Sequence, residues 1–479
     1  MAEAIARLSL MTVPGHHAPA YEINPGGTYQ GRLLAATPGD DSAGLNADAK
    51  AQAPGDSQSF SSRVHYPEIT YALLPDRLGP AKLQPRPRGL VDAVHQPPAP
   101  VSTANELRLS ITTPAGVRPG DDLPVVAFIH GGGYEWGARD EPWFDGAGFA
   151  RDNIITVSVS YRLGVDGFLP FHDDIPYHYR GIDDCNTALD WIQKNIEDFG
   201  GDPTNVTLMG QSAGAGICLW LARRDHYRGA FRRVWAMSPG FPRTPLARRK
   251  WLLRAIAGPV TRKNFHSLGI AGRAAVFKKF RRFVATDLPL GPYPYSPDEL
   301  ADVDLVITCT GQEFHRHGFA RKLDASAISW LLRPVFAAHL GARIGYRAAP
   351  PKFFGQLITD SLFTQLVATT AEARPNTWVV LYEGTDERPA LHCCDLPLIF
   401  GNYELIKNTP WDLLHEPSPA LLEKCHRRAV DFARAATPAW PAYGRERQVL
   451  SVDINSGEQA LRTDPFARTR RYFTHVTSR

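Results

Sequence analysis

The sequence predicts an α/β fold, a central mostly parallel sheet with helices on both faces. Three observations carry that expectation. Short apolar, β-branched runs recur along the chain, and stretches of helical spacing separate them. Two of the runs also stop at glycine-rich turns bearing polar residues, at strand ends where such sheets build their sites.

The first hundred residues are the least regular, and core strands are expected only after them. Residues 1–15 make a poor secretory signal, since Glu3 and Arg7 interrupt any apolar core, and read as a lightly docked terminus. Residues 35–63, rich in Gly, Ala, Ser and Asp, read as a flexible surface excursion. The run Leu123-Pro124-Val125-Val126-Ala127-Phe128-Ile129 is the first buried strand, and it leads straight into His130-Gly131-Gly132-Gly133. Residues 153–160 are continuous and β-branched, as in a strand covered on both faces. Helical spacing through Ala188, Leu189, Ile192 and Ile196 marks a helix over 185–199, which Gly200-Gly201-Asp202-Pro203 ends. Four strands follow, at Val206-Thr207-Leu208-Met209, Val234-Trp235-Ala236-Met237, Asp304-Leu305-Val306-Ile307-Thr308 and Trp378-Val379-Val380-Leu381-Tyr382.

With 479 residues, 43% hydrophobic and 21% charged, the chain can bury a large core. Its chemical signals run along the whole length in one order, so a single domain over 1–479 is expected. No stretch approaches the roughly 18 apolar residues of a membrane span, and a soluble, cytoplasmic protein is expected. The six cysteines have no repeating spacing and lack paired C-x-x-C ligands, so neither a disulfide framework nor a metal site is expected, and no cofactor.

Gly210-Gln211-Ser212-Ala213-Gly214 directly follows a strand, as a nucleophile elbow does. The serine there takes a strained backbone conformation, and the outer glycines avoid collision with the crossing strand and helix. The His130-Gly131-Gly132-Gly133 loop is the kind that offers backbone N–H donors to an oxyanion. A serine nucleophile needs a base, and the base an orienting acid. Glu313 lies just past the strand ending at Thr308, and His392 lies in the loop after Tyr382. Their order, Ser then acid then His, is that of α/β-hydrolases. Glu313 as a solvated loop carboxylate and His392 as a structural histidine are the plain alternatives. His315 and His317 are alternative bases, less well placed because they sit beside the proposed acid.

From Tyr66 to Tyr443 the chain resembles the type B carboxylesterase family, the cholinesterase-like and para-nitrobenzyl-esterase-like enzymes. The resemblance rests on Tyr161-Arg162-Leu163-Gly164 with Gly167-Phe168-Leu169, on Phe199-Gly200-Gly201-Asp202-Pro203-Thr204-Asn205-Val206-Thr207, and on His392-Cys393-Cys394-Asp395-Leu396-Pro397 with Phe400-Gly401. It implies an α/β-hydrolase fold with a helical cap insertion, here over 241–303. It also implies Ser212 as nucleophile, His392 as base and Glu313 as acid, with Gly132, Gly133 and Ala213 as oxyanion donors. Thr359-Asp360 with Phe363 matches a further family segment, which makes Asp360 a poor rival acid. The chain departs from the pattern at Gln312-Glu313-Phe314, where the family has Asp-Glu-Gly, and at Ser160, where asparagine is usual. The early cysteine pair of secreted members is missing, which implies an intracellular, bacterial-type version.

Residues 221–283 carry 17 Lys and Arg against one acid, Asp225, in a chain whose net charge is +4. One expectation is a solvated face pairing with acids elsewhere; the other is contact with anionic esters, an acidic partner or a membrane surface. No nucleic-acid-binding motif accompanies the charge, so no nucleic-acid partner is expected. The expected function is hydrolysis of small-molecule carboxylic esters through an acyl-enzyme. A binding module on the same fold is the rival class, disfavoured by the intact serine, histidine and glycine loop. Tyr134 and Trp136, directly after that loop, are the expected substrate-contacting aromatics, while Trp143 and Phe144 suit either a pocket or the core.

Overall fold

In the computed structural model, residues 20–34, 62–95, 101, 104–284, 286–348, 352–410 and 412–473 are described. The terminus expected at 1–15 lies outside them, as does the excursion expected at 35–63 except for its last two residues. Among the described residues no helix is long and apolar enough to cross a membrane.

The strands are β1 (Ala20–Ile23), β2 (Tyr29–Leu34), β3 (Arg63–Leu73), the two-residue β4 (Lys82–Leu83) and β5 (Val91–Asp92), and β6 (Glu106–Pro114). After these come β7 (Leu123–Ile129), β8 (Ile155–Val159), β9 (Gly201–Gln211), β10 (Arg233–Met237), β11 (Asp304–Thr310), β12 (Trp378–Glu383), β13 (Gln448–Asp453) and β14 (Gln459–Thr463). They form one sheet in the order β1-β2-β3-β6-β8-β7-β9-β10-β11-β12-β13-β14, with β4 on β3 and β5 on β2. From β8 through β13 every neighbouring pair is parallel, while the flanks are antiparallel apart from the short β5, which runs parallel to β2.

One expectation needs correction: core strands do not wait for the second hundred residues. β3 is central to its half of the sheet, with Val64, Tyr66, Ile69 and Tyr71 buried. A register shift between Tyr66 and Ile69, at Pro67-Glu68, breaks the alternation that would have announced it.

Chain order and sheet order diverge in the parallel region at β7. The chain leaves β7 toward β8 on one side, then crosses back so that β9 pairs with the other side of β7. Connections that part in this way open a crevice at the carboxyl ends of the two strands. Ile129 of β7 is in register with Gly210 of β9, so the HGGG loop and the elbow leave the sheet side by side.

Residues 241–303 hold the helices Leu246–Ala257, Arg262–Ser267 and Gly269–Arg281. Ala, Leu, Arg and Lys fill the first of these with strong helix formers, and Gly258 at φ 76° stops it. Leu253, Phe265, Val276 and Phe280 are buried beneath the three. Ion pairs fasten these helices to the segment 166–173, Arg273 to Asp166 at 2.6 Å and Arg262 to Asp173 at 2.9 Å. Beneath them, Arg162 and Asp184 form a fully buried pair at 2.6 Å.

Candidate active site

Ser212 sits at φ 55°, ψ −119°, a conformation side chains rarely adopt. The turn around it leaves no room for its outer residues to carry side chains. A Cβ on Gly210 would lie 2.6 Å from the Gly214 carbonyl, and one on Gly214 would lie 2.0 Å from the Ile129 oxygen. The strain is held by hydrogen bonds: Ser212 N–H donates to Met237 O at 2.8 Å, and Gly240 N–H donates to Ser212 O at 3.1 Å. The buried helix Ala213–Leu221 then carries the chain away.

Glu313 follows β11 and His392 follows β12, and the two meet. Glu313 Oε2 lies 2.5 Å from His392 Nδ1. The other carboxylate oxygen accepts from Ser238 Oγ at 2.6 Å and from Thr310 N–H at 2.9 Å. With Nδ1 committed to the carboxylate, the second ring nitrogen, Nε2, turns to the elbow and lies 3.1 Å from the amide nitrogen of Gln211. Burial opposes charge on this imidazole, but the Cys393 sulfur and the Glu313 carboxylate outweigh it and hold His392 well above the usual histidine range. Beneath the pair, burial and the Glu313 charge push the Asp395 carboxyl up to about 6.

The alternative acid and one alternative base, His315, are engaged elsewhere. Asp360 is buried and accepts from Tyr346, Gln356 and Arg468. His315 Nε2 is 2.9 Å from Gln356. His130 packs on Tyr161 with Nδ1 2.8 Å from Gly131 O, and burial lowers it to about 4, which keeps it neutral.

The glycine loop curls over the serine. Gly132 and Gly133 have φ of 107° and 62°, and a Cβ on Gly132 would lie 1.8 Å from the Trp136 oxygen. Among the described residues no internal acceptor takes the N–H groups of Gly132, Gly133 or Ala213. Three unpaired donors beside one serine can receive a negatively charged oxygen.

The two expected aromatics separate. Tyr134, at φ 65°, turns inward, is fully buried, and donates its hydroxyl to Gly240 O at 2.6 Å. It therefore buttresses the turn after β10 and does not face an open pocket, which corrects its expected role. Trp136 is 42% exposed at the rim. Trp143 and Phe144 are core residues. Sequence reasoning missed Gln211 and Ser238, and it missed the apolar wall. The Phe363 ring lies tilted 4.7 Å and that of Phe314 6.0 Å from the His392 ring, and Leu288 reaches Gly133 and Gly240. The departure at Gln312-Glu313-Phe314 was the signal for Phe314.

Residues 82–253 match the model of the carboxylesterase family. The chain is 26% identical to the para-nitrobenzyl esterase of Bacillus subtilis (strain 168) over 397 residues, 74% of this chain and 79% of that protein. It is 26% identical to the phenmedipham hydrolase of Pseudarthrobacter oxydans over 401 residues, 74% of this chain and 80% of that one. Among solved structures a PNB esterase superposes with a TM-score of 0.67 at 25% identity, over 85% of this chain and 95% of that chain. Fold and neighbours define an α/β-hydrolase. Within that class residues 82–253 match the carboxylesterase family, and the chain is a carboxylesterase.

Proposed function

We propose that this carboxylesterase works through Ser212, His392 and Glu313 with an acyl-enzyme intermediate. The observation that carries the proposal is the Glu313 to His392 contact at 2.5 Å, which commits Nδ1 and leaves Nε2 as the proton acceptor at the elbow. Nε2 takes the Ser212 proton as Oγ attacks the ester carbonyl, and Glu313 stabilises the imidazolium that forms. The carbonyl oxygen becomes an anion and is received by the N–H groups of Gly132, Gly133 and Ala213. Collapse breaks the bond to the alcohol, which leaves with the proton from Nε2. Water then attacks the acyl-enzyme with His392 again as base, and the acid is released.

Phe314, Phe363 and Leu288 favour substrates with apolar or aryl groups, in keeping with the para-nitrobenzyl ester in the name of the Bacillus relative. The proposal takes the chain as one catalytic unit with residues 241–303 as its cap. The free state of all six cysteines supports a cytoplasmic setting.

A fluorophosphonate probe tests the nucleophile. Wild-type enzyme is expected to gain one adduct, mapped to Ser212, and Ser212→Ala to gain none and to fall to about 10³–10⁴ over the water rate. A folded Ser212→Ala enzyme retaining more than about a tenth of turnover overturns the proposal.

A further inference from the structure

The positive charge of residues 221–283 resolves into two populations. Seven of its 17 cations meet carboxylates, among them Arg223 with Asp225, Arg262 with Asp173 and Arg273 with Asp166. Those pairs are structural. Lys278, Lys279 and Arg282 are exposed and have no ion pair among the described residues. They cluster at the end of the helix Gly269–Arg281, and Phe283 beside them is 70% exposed.

One contact brings this end of the cap to the rim of the candidate site, and a second ties it to a neighbouring helix. Arg281 pairs with Glu135, next to Trp136. Thr286 Oγ1 lies 3.1 Å from Nε2 of His339, the last residue of the helix Ser329–His339. That helix presents an apolar row to the outside. Ile328, Leu331 and Val335 fall on one face by their spacing and are at least half exposed, and Trp330 beside them is 65% exposed. On the preceding helix, Gly318–Asp324, Arg321 and Lys322 are exposed and unpaired among the described residues.

A contiguous apolar row of large side chains marks an interaction site. The surrounding charge selects its occupant. A second copy of the chain docked on the same face would bring these cations against their own kind, a repulsion that costs several kcal/mol. An anionic bilayer satisfies both features, with acyl chains for the row, headgroups for the cations, and an interface suited to Trp330.

We propose that the helix Ser329–His339 and the basic end of the helix Gly269–Arg281 form a docking surface for an anionic lipid bilayer, with the rim of the esterase site turned toward it. Membrane-dissolved esters then enter the site without crossing bulk water.

Co-sedimentation with vesicles tests this directly, comparing phosphatidylcholine alone with phosphatidylcholine mixed with phosphatidylglycerol. Full-length enzyme is expected to sediment with the mixed vesicles, to release as salt rises, and to leave the neutral ones alone. Leu331→Asp with Val335→Asp is expected to abolish binding, and each of Lys278→Glu, Lys279→Glu and Arg282→Glu to weaken it at least fivefold. Turnover of a water-soluble p-nitrophenyl ester stays at the wild-type level in all of these variants, which shows them folded and separates this test from that of the nucleophile. No binding to mixed vesicles, or equal binding to both kinds, overturns the proposal. So does a wild-type dimer that Leu331→Asp converts to monomer, which gives the face to a second copy.

Discussion

The hydroxyl of Ser238 donates to Oε1 of Glu313 at 2.6 Å from 75 residues upstream. With the Thr310 N–H on the same oxygen, it clamps the far side of the carboxylate and leaves Oε2 for His392. A carboxylate wholly cut off from solvent needs such donors to satisfy its oxygens. In the proposed mechanism Ser238 therefore fixes the direction of the Glu313 carboxylate, without touching substrate.

Glu313→Gln is expected to lower kcat by about 10⁴, because the amide can neither hold the imidazole tautomer nor stabilise its cation. Ser238→Ala is expected to cost about tenfold, the worth of one hydrogen bond to a charged group, since Thr310 still holds the carboxylate. Asp360→Asn is expected to lower the melting temperature and spare turnover, because Asp360 ties Arg468 and Tyr346 together away from the serine. Turnover and thermal melts on the three variants check this. A dead, folded Asp360→Asn beside an active Glu313→Gln moves the acid to Asp360.

The pH profile follows from His392. As the base of the proposed mechanism it must be neutral, and the fold holds its pKa well above 6.5, so kcat/KM is expected to rise with pH through a midpoint above that of ordinary histidine. The stability linkage runs the other way. A raised folded pKa makes the imidazolium stabilising, fully below the unfolded pKa of about 6.5 and no longer once pH passes the folded value. Residual Glu313→Gln activity is expected to rise at a lower pH than wild type, because the carboxylate that favours the cation is gone. A profile flat across this range with chemistry rate-limiting rules out His392 as base.

What the sequence made legible were elements whose chemistry is local. β7 and β9 announce themselves because their apolar runs end in turns only glycine can make, as the contacts at Gly132 and Gly214 bear out. The roles of Ser238 and Gln211 were hidden because they arise from register between strands. Met237 pairs with both Gln211 and Thr308, which brings three strand ends together that one sequence does not reveal as neighbours. Tyr134 and Trp136 stand two residues apart in the same motif, and only the positive φ at Tyr134 decides which of them is buried. β3 was missed because its bulge breaks the period that marks a strand.

Arg162 of the Tyr-Arg-Leu-Gly segment is expected to matter for stability rather than catalysis. Its guanidinium holds Asp184 through Nε at 2.8 Å and Nη2 at 2.6 Å, with no solvent on either side chain. Arg162→Ala leaves a buried carboxylate without its partner and is expected to cost about 3–5 kcal/mol. Denaturant melts read that cost, and Arg162→Met with Asp184→Leu is expected to recover much of it by removing both charges. A single variant as stable as wild type contradicts the role.

Asp395 offers the sharpest linkage test. It is fully buried, its Oδ2 accepts from Thr308 Oγ1 at 3.0 Å, and its Oδ1 has no hydrogen-bond partner among the described residues. Burial first, and then Glu313, raises its pKa from 3.8 to about 6. Folding thus favours the neutral acid. The contribution is fully present below pH 3.8, and it is lost as pH rises through about 6, where the carboxylate must ionise in place. Asparagine keeps the shape and a hydrogen bond to Thr308 without the charge. Asp395→Asn is therefore expected to raise stability above pH 7 by up to about 3 kcal/mol, and to change it little at pH 4. Thermal melts of both proteins across that range read the difference directly. A variant that loses stability equally at both ends contradicts the raised pKa and leaves the Thr308 hydrogen bond as the feature that matters.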